Sequence, residues 1–253
     1  MCLITFQWQP NAFNKLILSA NRDEFLHRPA LALHPWQDAQ GVYAGKDLSQ
    51  GGTWLGIHKT GRFAALTNHR NMHIKGPKNP ISRGKLVVDF LTSKISSMDY
   101  LSALESQSNQ YAGYNLLVAD KDHLGYFSNR SNQPAIILKP GLYALSNALL
   151  NTPWPKATSA RNNLSNWLNT ASKKPSLAEL LSSKLIANDK DLPDTGIGIE
   201  MERALSCQKI VTPNYGTRCS TGLVWSQNQI QIEEVSWLED GCENFRKCHL
   251  IDF

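Results

Sequence analysis

The sequence predicts an α+β fold of four layers, an αββα sandwich in which two antiparallel sheets stack face to face and helices cover their outer surfaces. Strand patterns and helical patterns alternate in groups along the 253-residue chain, and this order does not fit a regular βαβ winding. The chain also contains no Pro- or Ser-rich linker. A single domain over residues 1–253 is therefore expected.

Two hairpins are expected near the start of the chain. In each, two β-rich runs flank a short group of turn-forming residues. The first hairpin pairs residues 2–8 with 15–20, and the second pairs 53–58 with 62–68. Cys2 therefore begins the first strand.

Helices and strands alternate over the rest of the chain. Apolar residues at helical spacing predict two helices between residues 82 and 106, and the Ser96-Ser97 pair starts the second one. The later elements are expected as a strand meander over 115–120, 124–128, 135–139 and 142–147, a helix over about 159–171, a helix after the capping box Ser176–Glu179, and a hairpin of 220–225 with 229–235. The last residues are expected to be irregular.

The composition indicates an ordinary globular protein. Hydrophobic residues make up 42% of the chain, and no apolar run approaches the roughly 18 to 20 residues of a membrane span. The first residues lack the basic and apolar segments of a signal peptide. The five cysteines show no C-x-x-C spacing, so neither a disulfide framework nor a zinc site is expected. We expect a cytoplasmic protein without stable membrane insertion.

A basic stretch lies between Asp47 and Asp89, where no acidic residue occurs. Its basic residues are Lys59, Arg62, Arg70, Lys75, Lys78, Arg83 and Lys85. This stretch is either a solvated basic face or a docking surface for an anionic ligand. Nucleic acid is not an expected partner, because no recognition helix or RNP-like motif accompanies the charge.

The histidines do not form a metal motif. His69 and His73 are four residues apart, but the chain has no H-E-x-x-H or comparable ligand set, so no metal ion is expected. An axial haem ligand needs only one His or Cys, and the sequence does not single one out.

The Met-Cys start permits a specific chemistry. Methionine aminopeptidase removes Met1 when the second residue is small, which would expose Cys2 with a free α-amine. Such an amine, with a pKa of about 7.7 to 8, can accept the proton of the adjacent thiol without a histidine. The alternative is a cysteine that only packs at the end of a buried strand.

Several short motifs together resemble one family. They are Asn21-Arg22-Asp23-Glu24, Arg28-Pro29, Gly51-Gly52-Thr53-Trp54-Leu55-Gly56, Ala65-Leu66-Thr67-Asn68, Leu145-Ser146-Asn147-Ala148, Thr152-Pro153-Trp154 and Tyr215-Gly216-Thr217-Arg218. The sequence in this way resembles the NRDE family, also called the transport and Golgi organisation protein 2 family. More distantly, the order resembles the choloylglycine and penicillin V acylase branch of the N-terminal-nucleophile hydrolases, which implies that fold.

The acylase resemblance implies catalytic roles for five residues. Cys2 matches the nucleophile, and Asp23 matches the carboxylate that holds its α-amine. Asn68 and Asn147 match amide donors that stabilise an oxyanion without adding charge. Arg218 is a weaker match to an arginine that favours the thiolate. Taken singly, the two asparagines could instead be turn residues.

Further candidates for ligand binding are Asn21, Arg22, Trp54, His69 and Arg70. The acylases carry an arginine immediately before the Asn-x-Asp unit, where this chain has Ala20, while Arg22 lies inside the unit. This shift reverses the face on a strand, so Arg22 either supports the site from behind or pairs with Glu24 at the surface. The segment Gly51–Gly56 either approaches a ligand or forms a tight turn before a buried Trp54.

Two functions remain open. The NRDE resemblance implies intracellular haem trafficking, in which the basic stretch pairs with the haem propionates. The acylase resemblance implies hydrolysis of an amide or related acyl bond through a thioester on Cys2. Haem trafficking is placed ahead because the family resemblance is the closer one, and the expected ligand is haem or an anionic acyl compound. Both functions require Cys2, Asp23, Asn68 and Asn147 to converge around one cavity between the sheets.

Overall fold

The computed structural model describes residues 2–171 and 174–253. Within these ranges the strands are β1 (Cys2–Trp8), β2 (Asn14–Phe25), β3 (Ala30–Pro35), β4 (Val42–Asp47), β5 (Leu55–His58), β6 (Arg62–Asn68), β7 (Tyr114–Ala119), β8 (Leu124–Ser128), β9 (Ile136–Ile137), β10 (Gly141–Leu145), β11 (Tyr215–Ser226), β12 (Gln229–Trp237) and β13 (Glu243–Asp252). The α-helices are α1 (Gly84–Thr92), α2 (Ser97–Glu105), α3 (Pro155–Asn169) and α4 (Ile199–Ala204).

The strands form two antiparallel sheets. Sheet 1 has the order β10-β1-β2-β11-β12-β13, and sheet 2 has the order β3-β4-β5-β6-β7-β8-β9. In sheet 1 the first two strands pair along their whole common length, with Cys2 opposite Arg22 and Trp8 opposite Leu16. Cys2 therefore lies at the end of an inner strand, with neighbours on both sides.

Three apolar layers hold the sandwich together. The largest is the core between the sheets, where the rings of Trp8 and Trp225 lie 6.4 Å apart. A second core packs α1 and α2 against sheet 2, with Phe90 and Leu101 buried in it. Residues of α3 such as Ala160 pack on sheet 1. This arrangement confirms the predicted αββα fold class.

Most of the locally encoded elements agree with the sequence prediction. Both early hairpins and the pair of helices between residues 82 and 106 are present, and the Ser96 side chain caps α2 by accepting a hydrogen bond from the Asp99 N–H. The meander and the late hairpin are also present, although β9 is only two residues long. The helix expected at about residue 159 begins earlier, at Pro155, where proline suits a helix start.

The helix expected after Ser176 is wrong, because Leu177–Glu179 forms only a 3₁₀ turn. The Leu177 carbonyl accepts a hydrogen bond from Ser19 Oγ at 2.6 Å, and the Leu181 carbonyl accepts one from Asn21 Nδ2 at 2.8 Å. Side chains of β2 thus bind the carbonyls that a helix would need for its next turns.

The expected irregular end is also wrong, because Glu243–Asp252 pairs with β12 as the edge strand β13. Most of its side chains are exposed, so the alternation that identifies a half-buried strand is missing. The sequence patterns likewise do not predict β3, β4 or α4. In the described part of the chain, no helix is both long and apolar enough to cross a membrane.

Candidate functional site

A cavity of about 430 Å³ opens between the two sheets at the end where β1 begins. Its walls come from β1, β2, β11, β12 and β13 of sheet 1, from β3, β4 and β6 of sheet 2, and from the residues before α1. The volume lies within the range of about 300 to 1,000 Å³ that is typical of small-molecule sites. Six residues named from the sequence line it, namely Cys2, Arg22, Asp23, Trp54, Asn68 and Arg218.

Cys2, Arg22 and Cys219 form a row across the sheet 1 side of the cavity. Cys2 pairs with Arg22 in one ladder, and Arg22 pairs with Cys219 in the next. Directly paired residues project to the same face, so the guanidinium stands between two thiols. Because neighbouring strands are about 4.8 Å apart, the two cysteine Cα atoms are separated by roughly 10 Å, too far for a disulfide.

The Cys2 thiol is in a desolvated position. The residue is 6% exposed, and burial raises the pKa of the thiol to about 11. A thiol with this pKa carries its proton at neutral pH, whereas the thiolate is the reactive form. Cys2 therefore needs a base close by if it is to act as a nucleophile.

Asp23 lies beside the amino end of β1 but on the other face of sheet 1 from Arg22, as strand alternation requires. Its Oδ1 accepts a hydrogen bond from Thr217 Oγ1 at 2.7 Å, and its backbone oxygen accepts one from the Tyr215 hydroxyl at 2.8 Å. Burial raises the pKa of Asp23, and the charge of the buried Lys156 opposes this rise. Asp23 is thus a fixed buried carboxyl group close to the point where the chain enters β1.

A β-bulge at Arg218 allows β11 to contact Asp23 on one face of sheet 1 and to line the cavity on the other. The pairing with β2 shifts between Thr217 and Cys219, which leaves Arg218 as the extra residue. Thr217 consequently contacts Asp23 on one face, while Cys219 lines the cavity on the other. Nη1 of Arg218 donates to two backbone oxygens, both at 2.9 Å, which fixes the side chain at the cavity wall.

Asn68 lines the cavity at the end of β6, whereas Asn147 is fully buried behind it. Asn147 Nδ2 donates to the Asn68 backbone oxygen at 2.9 Å. The neighbouring Ser146 Oγ donates to the Cys2 backbone oxygen at 3.4 Å. Asn147 therefore positions Asn68 close to the start of β1, and the oxyanion role of either amide stays a prediction.

A buried network that the sequence analysis did not identify holds this segment. Asn115 Nδ2 donates to Thr67 Oγ1 at 3.0 Å and to the Ala148 oxygen at 2.9 Å, and Asn115 Oδ1 accepts from the Tyr126 hydroxyl at 2.9 Å. Thr67 Oγ1 in turn donates to the Ser146 oxygen at 2.6 Å. The network joins the residues next to Asn68 and Asn147 through side chains far apart in sequence.

Arg22 neither lies behind the site nor pairs with Glu24 at the surface, so both expectations for it are wrong. The residue is only 9% exposed and lines the cavity, and its Nη2 lies 3.6 Å from Asp47 Oδ2. Arg28 Nε lies 2.6 Å from the same oxygen and 4.0 Å from Glu24. β2 continues to Phe25 without a break in alternation, so Arg22 shares the face of Cys2 rather than lying behind the site.

Trp54 is 8% exposed, and it both joins the core and lines the cavity. The loop before it turns at Gly51, whose φ is +73°, and then passes very close to the residue that starts α1. A Cβ on Gly52 would lie 2.5 Å from the backbone carbon of Gly84. The tight turn before a buried Trp54 is therefore present, and the approach of this segment to a ligand stays a prediction.

The model of the family Transport and Golgi organisation 2 matches residues 1–243. The chain belongs to this family. The match confirms the NRDE resemblance.

Curated members of the Transport and Golgi organisation 2 family match nearly the whole chain. The Transport and Golgi organization protein 2 homolog of Bos taurus is 38% identical over 262 residues, with 94% of each chain covered. The homolog of Homo sapiens is 35% identical over 261 residues, again with 94% of each chain covered.

Two solved structures illustrate what this chain is similar to. One is the Caenorhabditis elegans N-acylethanolamine-hydrolyzing acid amidase ortholog, with a TM-score of 0.48, 10% identity, and coverage of 88% of this chain and 92% of that chain. The other is the C2A mutant of conjugated bile acid hydrolase from Clostridium perfringens, with a TM-score of 0.47, 11% identity, and coverage of 98% and 96%.

Asn21, the first residue of the motif that names the NRDE family, does not line the cavity. It is fully buried on the α3 side of sheet 1, where its Nδ2 donates to the Leu181 and Gln208 oxygens, both at 2.8 Å. Its Oδ1 accepts a hydrogen bond from Ser220 Oγ at 2.6 Å. Asn21 therefore ties the outer layer of this Transport and Golgi organisation 2 member to sheet 1.

His69 and Arg70 also lie outside the cavity lining. Arg70 forms an ion pair with Glu202, and its guanidinium lies 5.0 Å from the Trp154 ring centroid. Its Nε donates to Thr195 Oγ1 at 2.9 Å. Burial lowers the pKa of His69, and no described residue hydrogen-bonds its Nδ1. The expected ligand-binding role of both residues has no support from their placement.

Three residues that line the cavity, Cys219, Glu234 and Arg83, were not identified from the sequence as parts of a site. The buried Glu234 carboxylate accepts hydrogen bonds from the Cys219 thiol and, at 2.8 Å, from the Leu33 N–H. Burial raises the pKa of Glu234 and also that of Cys219. Arg83 approaches from the segment before α1. Only Arg83 had a sequence signal, namely its place in the basic stretch of this family member.

Proposed function

We propose that this chain is a cysteine hydrolase of the N-terminal-nucleophile type, which acts on an amide or related acyl bond of an anionic compound. The observation that carries the proposal is the placement of Cys2. Its side chain faces the cavity, and its backbone enters β1 beside the buried carboxyl group of Asp23. This geometry favours hydrolysis over haem trafficking, because it puts a nucleophile and a site for its own amine together.

The free α-amine of a processed Cys2 would be the base. The thiol needs one because burial raises its pKa to about 11. An unperturbed α-amine has a pKa of about 7.7 to 8 and can take this proton near neutral pH. The neighbouring Asp23 carboxylate would stabilise the resulting ammonium group.

The reaction then proceeds through a thioester. Sγ attacks the acyl carbon, the S–C bond forms, and an electron pair moves onto the carbonyl oxygen, to which the Asn68 amide donates a hydrogen bond. Collapse breaks the bond to the leaving group, which takes the proton from the ammonium group. Water hydrolyses the thioester, releases the carboxylic acid and restores the thiol.

Intact mass spectrometry together with a turnover assay tests this proposal. Purified protein should lack Met1 and should release glycine from N-octanoylglycine. Cys2→Ala should abolish the release, whereas Cys242→Ala, which changes an exposed free cysteine, should leave it unchanged. Turnover by protein that retains Met1, or by Cys2→Ala, would contradict the mechanism.

Haem trafficking is the second candidate, with haem as cargo. The favouring observation is that the cavity contains two thiols, Cys2 and Cys219, together with Arg22, Arg28 and Arg218. Thiolate is a known axial haem ligand, and arginine pairs with propionates. Among the described residues that line the cavity there is no histidine, so a cysteine would be the iron ligand.

A haem titration tests the second candidate. A carrier should give a saturable Soret shift with one haem per chain, and Cys2→Ala or Cys219→Ala should move the band. Cys248→Ala changes an exposed cysteine outside the cavity and should leave the band in place. Binding without saturation, or a band unaffected by both cavity variants, would reject haem carriage by this site.

A further inference from the structure

Arg83 is a cavity residue without an acidic partner. It lies immediately before α1, and its Nη1 donates to the Gly113 backbone oxygen at 2.9 Å. Within the described ranges this is the only hydrogen bond of its side chain, and none of the described carboxylates forms an ion pair with it. Of the three other arginines that line the cavity, Arg22 and Arg28 share Asp47, whereas Nη1 of Arg218 donates to two backbone oxygens.

The electrostatic surroundings connect Arg83 to the nucleophile. Burial lowers the pKa of its guanidinium, and the Cys2 thiolate, when it forms, and the Glu24 carboxylate act in the opposite direction. A partly buried cation with no bound carboxylate is costly, and it favours an anion from outside the protein. The wall near Cys2 is therefore complementary to a negatively charged group.

Backbone contacts hold Arg83 in place. The next residue, Gly84, touches Gly52, and its carbonyl accepts a hydrogen bond from the Thr53 N–H at 3.4 Å. The far end of the Arg83 side chain is held by the Gly113 oxygen. With both ends held, little side-chain entropy remains to be lost when a ligand binds.

We propose that Arg83 binds a carboxylate or phosphate group of the ligand and so holds the acyl carbon beside Cys2. The catalytic part of this inference rests on the proposed hydrolysis, but the binding of an anion does not. A guanidinium has five N–H donors in a planar fork, and only one is engaged with Gly113. The others can bind two oxygens of one anion.

Calorimetric titration of Cys2→Ala, which binds without turnover, tests the proposal with three probes that share one acyl chain. N-octanoylglycine carries a carboxylate, N-octanoyl phosphoethanolamine carries a phosphate, and N-octanoylglycinamide is neutral. Adding Arg83→Ala to this variant should lower the affinity for the two charged probes by roughly 10- to 100-fold, because charged hydrogen bonds are lost. The affinity for the neutral probe should not change. With Arg83→Lys, the affinity for the charged probes should lie between those of the Arg83 protein and Arg83→Ala. The probe with the larger loss identifies the anion.

Lys85→Ala is the matched control. It also removes one positive charge, two residues from Arg83, but the Lys85 side chain is 61% exposed. It should change no affinity. An equal loss for charged and neutral probes, no loss with Arg83→Ala, or no binding of either charged probe overturns the proposal. The protein with Cys2 intact could also bind the charged probes through Arg83 but release no glycine. This result would reject the hydrolase function and support the anion site.

Discussion

Gly52→Ala should destabilise the protein through a single backbone collision. The new Cβ would lie 2.5 Å from the carbonyl carbon of Gly84 and 2.8 Å from its Cα and its oxygen. All three are backbone atoms, so no side chain can rotate away, and the loop before Trp54 must separate from α1. Overpacking of this kind costs about 1 to 3 kcal/mol, and we expect the upper half of that range.

Urea unfolding of Gly52→Ala and Gly76→Ala measures this cost. Gly76 is the matched control, because a Cβ there meets no atom within 4 Å and its φ lies outside the left-handed region. The free energy of unfolding of Gly76→Ala should stay within about 0.5 kcal/mol of wild type. Equal stability of the two variants would refute the argument that contact between Gly52 and Gly84 holds Arg83 against the cavity.

Two more predictions concern buried polar groups. Asn115→Ala removes three buried hydrogen bonds, two donated by Nδ2 and one accepted by Oδ1, and should lower the free energy of unfolding in urea by about 3 kcal/mol; a loss no larger than that of Gly76→Ala would contradict the network. The raised pKa of Glu234 means that the unfolded carboxyl ionises first, near pH 4.5, so wild type should lose stability relative to Glu234→Gln as pH rises from 4.5 through the folded pKa. Urea unfolding between pH 4 and 8 measures this difference, and a constant difference would show that burial does not perturb Glu234.

The elements that the sequence predicts correctly are those whose signal is local. The hairpin at residues 53–68 has two β-rich runs around a glycine turn, and Ser96 and Asp99 form a cap within four residues. Such contacts form between near neighbours, so their pattern is visible in a short window of sequence. Site residues could be predicted where they lie at the first or last position of such strands, as Cys2 and Asn68 do.

The remaining elements depend on contacts that a local pattern does not contain. Ser19 and Asn21 reach carbonyls about 160 residues away in the chain and so prevent the expected helix after Ser176. β13 is held to the protein by its pairing with β12 and by ion pairs of Arg246 with Glu179 and Glu233, while its exposed side chains carry no periodic signal. In both cases tertiary contacts override local preference.

The bulge at Arg218 explains why the site could not be derived from strand alternation alone. On a regular strand Thr217 and Cys219 would share a face, and β11 could serve either Asp23 or the cavity. The extra residue reverses the face after Thr217, so one strand holds the Asp23 carboxyl group with a hydroxyl and also presents a thiol to the cavity. Deleting Arg218 would make Thr217 and Cys219 consecutive residues on opposite faces, so Cys219 should stay in the row that it forms with Cys2 and Arg22, and the loss should be that of the guanidinium held at the cavity wall by the Phe25 and Arg28 oxygens.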